Sequence, residues 1–142
     1  MSSRSFAVLS TVLGLLVFAP AAVAGPVLRA DTHNLNFGKQ QFNTSQTRTV
    51  TVTNAGSQAV NVSVSSPFTP DDFSPGQLGS TCPLTEVTVL DPGESCTHIV
   101  GYYADPNPPF LGHRQIQLVF TATDASGQVV DTLAVKVSAR GV

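Results

Sequence analysis

Tryptophan is absent from the chain and tyrosine occurs only twice, so the sequence holds little of the aromatic platform on which sugars stack. Charge is scarce as well. Beyond residue 24 the basic side chains are Arg29, Lys39, Arg48, Arg114, Lys136 and Arg140, scattered through a 142-residue chain of formal net charge -2. A phosphate backbone is held by a basic stripe or patch, and nucleic acid is therefore not an expected partner. No Gly-x-Ser-x-Gly elbow occurs, and His33, His98 and His113 form neither a His-x-His nor a His-Glu-x-x-His pair. Without a nucleophile, base and orienter, or ligands at metal spacing, the expectation is no catalytic residue, no metal and no cofactor. Asp71, Asp72 and Asp105 sit in loop-like segments that could offer oxygen ligands, but no Asp-x-Asp-x-Asp-Gly pattern accompanies them, and they are expected to be solvated.

What is present begins with export. Arg4 precedes an apolar run from Phe6 to Phe18, Pro20 interrupts it, and Ala22-Val23-Ala24 supplies the small-x-small pattern read by signal peptidase. Cleavage is expected between Ala24 and Gly25. The run is shorter than the ~20 residues of a membrane span, so no stable span is expected after cleavage. The expected organisation is a signal peptide at 1–24 and a single domain at 25–142, secreted or periplasmic. An exported chain with an even number of cysteines is most simply disulfide-bonded through Cys82 and Cys96. The alternative, a metal or redox pair, lacks Cys-x-x-Cys spacing.

Period-two alternation dominates the remainder, with almost no helical periodicity. Strands are expected at 35–37, 49–53, 60–64, 86–90, 95–103, 113–123 and 129–139. The first stops at Gly38. The second and third are β-branched runs joined by the short Asn54–Ala59 segment, which predicts an antiparallel hairpin between them. Pro67, Pro70, Pro75, Gly76, Gly79 and Pro83 mark residues 65–85 as a long loop, pinned by Phe68 and Phe73. Seven strands, each with one apolar and one polar face, predict an all-β two-sheet sandwich of immunoglobulin-like type.

One strand departs from the rule of one apolar face. Cys96, His98, Val100 and Tyr102 lie on one side of it and Ile99 and Tyr103 on the other. Such a strand is either central and covered or presents a patch to another chain. Ile99 and Tyr103, with Phe110 and Leu111 at the end of the Pro-rich segment from Asp105, form the candidate interaction surface. His98 is expected to be a histidine satisfied by a backbone carbonyl rather than a ligand or base.

The order Leu35-x-Phe37-Gly38, Thr49-Val50-Thr51-Val52-Thr53-Asn54-x-Gly56, Leu90-x-Pro92-Gly93-x-Ser95-Cys96 and Gly112 resembles the abnormal-spindle/hydin-type immunoglobulin-like domains, known among exported bacterial chains as choice-of-anchor D domains. The resemblance covers about residues 33–139. It implies a seven-stranded sandwich related to the major sperm protein fold, pairing of Cys82 with Cys96, and use as a non-enzymatic scaffold or interaction module. The chain departs from the pattern in the extra run Val87-Thr88-Val89 between the cysteines, in His98 at an apolar position, and in the long loop from Asp105 to Leu111. The expectation is an exported structural or protein-interaction module with a protein partner, whose identity and whose oligomeric state the residues do not specify. A carbohydrate- or ligand-binding accessory domain is the alternative.

Overall fold

Alternating Val and Thr residues favour extended backbone because their branched side chains pack on a pleated surface, and the chain is built from such runs. The computed structural model describes residues 27–67, 70–107, 109 and 111–142. The segment read as a signal peptide, Ala24, Gly25, Phe68 and Phe110 lie outside the described residues. Among those described no helix forms. The strands are β1 (Leu28–Ala30), β2 (Asn34–Gln40), β3 (Ser45–Asn54), β4 (Val60–Ser65), β5 (Phe73–Pro75), β6 (Thr88–Leu90), β7 (Ser95–Tyr103), β8 (Gly112–Thr123) and β9 (Val129–Gly141). They form two sheets, one ordered β1-β3-β7-β5 and the other β2-β9-β8-β4-β6.

The all-β sandwich is thus as the alternation predicts, but it has nine strands rather than seven. The additional ones, β1 and β5, are three residues each, too short for a period of two to register. Strand β5 ends on Pro75, which only a sheet edge tolerates. Strand β2 also runs past Gly38 to Gln40, because Gly38 adopts a φ of 69° and its N–H donates to Asn36 Oδ1 at 2.8 Å. The result is a bulge between Asn36 and Lys39 in the parallel β2–β9 ladder, rather than a strand end.

The expected β3–β4 hairpin does not form. Strands β3 and β4 are not paired: β3 lies between β1 and β7 in one sheet, β4 between β8 and β6 in the other. The connection crosses the sandwich, and Asn54 anchors it. Its side chain, fully buried, donates from Nδ2 to the carbonyls of Gln58 (2.8 Å) and Leu90 (2.9 Å) and accepts the Gly56 N–H at Oδ1 (2.9 Å). Its backbone N–H and carbonyl are taken by Glu94 and Gly93. A turn residue in the sequence is therefore a buried clasp in the fold.

The core fills the space between the sheets. Val50 and Val52 from β3 and Cys96, Val100 and Tyr102 from β7 oppose Val62 from β4, Leu118 and Phe120 from β8, and Val135 and Val137 from β9, all buried. Burying each of the larger aliphatic or aromatic side chains contributes about 1.5–3 kcal/mol. Phe37, Phe73 and Tyr102 cluster at one end, with ring centroids 5.0 to 6.4 Å apart.

Residues 73–82 lie along the free edge of β7. Beyond the β5 pairing, Gln77 N–H donates to Ile99 O, and the Thr81 and Cys82 N–H groups both reach Thr97 O. Ser80 Oγ and Thr81 Oγ1 accept the Ile99 and Thr97 N–H groups. The Cys82–Cys96 disulfide ties down the end of this strap. The proline-rich segment is hence not a free loop: it supplies the missing edge with hydroxyls and scattered amides in place of a continuous ladder. Strand β7 is thus central, between β3 and β5, while on its outer face Ile99 is half-buried near Gly79 and Tyr103 is exposed.

Candidate interaction surface

Three short connections and the last residue converge at the end of the sandwich carrying the aromatic cluster. Asn43 N–H donates to Ala104 O at 2.8 Å and Ala104 N–H to Thr44 O at 3.0 Å. Tyr103 N–H donates to Asp72 O at 2.8 Å, and the Tyr103 hydroxyl donates to Asn43 Oδ1 at 3.0 Å. The loop leaving β7 is therefore held at its root. Further along, Asp105 Oδ1 accepts the Asn107 N–H and Pro106 bridges to Pro109.

On this base sit exposed apolar side chains. Leu111 is 71% exposed and Tyr103 40%. The β8–β9 ladder begins with Gly112 opposite Gly141, so Leu111 and Val142 flank the same end, and Val142 is 43% exposed with its N–H bound to Gln40 O. Of the residues expected to form a surface, the structure thus exposes Tyr103 and Leu111. Ile99 does not join them: it is half-buried beneath the strap, near Gly79. Phe110 lies outside the described residues.

Beneath this surface Arg114 Nε and Asp72 Oδ2 form an ion pair at 3.0 Å that links β8 of one sheet to the segment before β5 of the other. Tyr102 lies between the sheets here. Burial, and next the negative charge of Asp72, push its hydroxyl above the ordinary phenol range, while Arg114 pulls the other way. Asp72 is consequently a structural counter-ion rather than one of a set of solvated loop charges. Neither Asp72 nor the Arg114 partnership has a signature in the sequence, because the two residues belong to different sheets.

His98 is fully buried on the inner face of β7. Its Nδ1 donates to the Cys82 carbonyl at 2.6 Å and its ring meets Phe120 edge-on, with centroids 5.9 Å apart. Nε2 is buried without a hydrogen bond. Desolvation lowers its proton affinity, and the carbonyl only partly offsets this. His33 and His113 are exposed, and among the described residues no three His, Cys, Asp or Glu side chains converge as a metal site would require. What the ring does chemically is fill space and brace the disulfide-bearing segment.

At the opposite end of the sandwich the β3–β4 connection and the β8–β9 turn enclose a cleft of about 710 Å³ lined by Val27, Gly56, Val60, Asp124, Val129 and their neighbours. Its one carboxylate, Asp124, is committed to its own turn: Oδ1 accepts from Ser126 N–H, Ser126 Oγ and Gln128 N–H. The Ser126 hydroxyl and the Gln128 N–H hold its carboxyl below the usual range. No alternation or motif marks this cleft in the sequence.

No family model matches the chain, and no curated protein matches it by sequence. Solved structures do match by shape. The PapD-like domain 7 of human CEP192 superposes with a TM-score of 0.62 at 10% identity, covering 97% of this chain and 98% of that one. WR4, a major sperm protein family member of Caenorhabditis elegans, gives 0.55 at 12% identity over 81% of this chain and 99% of that chain. The periplasmic chaperone SfaE gives 0.56 at 11% identity over 80% of this chain and 57% of its own. The likeness at such identities is one of fold: an immunoglobulin-like sandwich of the PapD and major sperm protein kind.

Proposed function

We propose that the chain is an exported, non-enzymatic protein-interaction module that docks its partner at the end of the sandwich carrying Tyr103 and Leu111. The observation that carries this reading is the exposure of Leu111, 71%, on a loop root tied by the ladder ends, the Tyr103–Asn43 hydrogen bond and the Arg114–Asp72 pair. Exposed apolar side chains on a rigid base bind with little ordering cost. The shape likeness to a periplasmic chaperone is consistent with protein binding, and the Cys82–Cys96 disulfide suits an oxidising compartment, in keeping with the export expected from residues 1–24. The test is site-specific photo-crosslinking in the producing cell, with the crosslinker at Leu111, at Tyr103 and, as a control, at Thr121 on the outer face of β8. One discrete adduct shared by the first two positions and absent from the third is the expected result. Its absence from all three positions ends the proposal.

A ligand-binding accessory role is the second reading, favoured by the cleft beside Val129, whose volume falls in the range of small-molecule sites. Val129→Trp, at an exposed position on the cleft wall, would fill the cleft and abolish any such binding while leaving the Leu111 adduct unchanged.

A further inference from the structure

The edges of the two sheets are not equally protected. Strand β2 carries a bulge and Lys39, β6 is three residues long, and β5 ends at Pro75 and continues into the strap over β7. These are the usual means of blunting an edge. Strand β3 differs. Its partner β1 covers only Val52 to Asn54, and Asp31 closes the cover by taking Thr51 O with its N–H and Thr51 N–H with its Oδ1. After Asp31 the chain leaves for the other sheet.

In an antiparallel ladder alternate residues turn their N–H and carbonyl to opposite sides. Thr51 points toward β1, so Thr49, Thr47 and Ser45 present theirs on the same side, where β1 no longer runs. No other described segment pairs with that edge, and residues 45–49 are all exposed. Their side chains face outward beside Ile99, Gly101 and Tyr103. The intervening residues share the inner side with Val50, and the one cation among them is Arg48, whose backbone pairs with Val100 of β7 and whose exposed side chain forms no ion pair or hydrogen bond among the described residues.

We propose that the open edge of β3 from Ser45 to Thr49 accepts an extended peptide segment as an added strand, with an acidic side chain of that segment set against Arg48. This deepens the interaction-module reading and rests on it. Main-chain hydrogen bonds to Thr47 and Thr49 supply affinity and the alternate side chains supply selectivity. A second copy of this chain fits poorly, because edge-to-edge antiparallel pairing centred on Thr47 or on Arg48 brings the two Arg48 side chains diagonally or directly together on one face, where like charges oppose pairing. An uncharged strand leaves Arg48 unmatched, whereas an acidic one neutralises it.

The test uses the mature protein and two peptides of about seven residues, a usual strand length, alternating Thr and Val with either Glu or Lys at the centre, read by backbone amide NMR. The expected result is perturbation of the Thr47 and Thr49 amides by the Glu peptide and not by the Lys peptide. Arg48→Glu should reverse the preference, weakening the Glu peptide by about tenfold, as a like-charge juxtaposition does. Thr47→Pro removes an outward N–H that has no internal partner and should abolish binding with the remaining amide spectrum preserved. Failure of both peptides, perturbations mapped elsewhere, or an unchanged preference in Arg48→Glu overturns the edge proposal. The Leu111 adduct is read separately: if it persists when edge binding fails, only this inference falls, and if it is lost while edge binding holds, only the loop-end reading falls.

Discussion

His98 Nδ1 lies 2.6 Å from the carbonyl oxygen of Cys82, so the imidazole of β7 braces the residue that anchors the strap over the edge of the same strand. Nε2 has no hydrogen bond, and the ring faces Phe120, Val50 and Gly76 rather than any charged side chain. Protonation would place an uncompensated charge in the core.

Burial lowers the His98 pKa below its unfolded value of 6.5, so the unfolded chain binds a proton that the folded chain refuses. Stability is therefore full above the unfolded pKa and declines as pH falls below it, until the folded group itself protonates. The melting temperature should drop between about pH 7.5 and pH 5.5, where a histidine titrates. His98→Leu, measured by thermal denaturation across the same range, should flatten that slope. An unchanged slope would mean another group governs it.

Reducing the disulfide should loosen the strap before it unfolds the sandwich. Closing a loop of about 15 residues stabilises a chain by about 3 kcal/mol, and the Cys82→Ala/Cys96→Ala pair should lose about that much in urea denaturation. Hydrogen exchange should localise the change: the Gln77, Thr81 and Cys82 amides, which bond β7, should lose protection ahead of Val50 and Val52. Uniform loss across both sets would contradict the separate strap.

Asn54→Ala should destabilise the fold by about 3 kcal/mol, because it strands the buried carbonyl of Leu90 along with that of Gln58. Asn54→Asp should be worse at neutral pH, placing a carboxylate against the same two carbonyls. Denaturant midpoints of the two variants provide the comparison.

The ion pair offers a spectroscopic readout. With two tyrosines and no tryptophan, tyrosinate absorbance isolates the phenols. Asp72→Asn removes a charge that raises the Tyr102 pKa and should shift its titration to lower pH, whereas Arg114→Gln should shift it upward. Shifts in one direction for both variants would show that altered packing, not charge, controls Tyr102.

Much of the sandwich was legible because alternation is written residue by residue. Ile116, Leu118 and Phe120 on β8, and Val135 and Val137 on β9, face the core as their spacing predicts. The candidate surface was legible only in part. Leu111 and Tyr103 are exposed, but Ile99 reads the same in sequence and is half-buried, since the strap that meets it near Gly79 lies more than 15 residues earlier and contains no alternation. Arg48 reads as any solvated cation until the short reach of β1 leaves its strand edge open.

The sequence by itself determined which residues extend, which of their faces is apolar, and that two cysteines stand close enough along the chain to pair. Tertiary structure alone decided which strands are neighbours. Two identical-looking Val-rich runs on either side of Asn54 were indistinguishable from a hairpin until the Asn54 side chain met the carbonyl of Leu90, 36 residues away. Periodicity is a local property of the backbone, whereas partner choice depends on where the chain crosses between sheets, and that crossing is held by contacts between residues far apart in sequence.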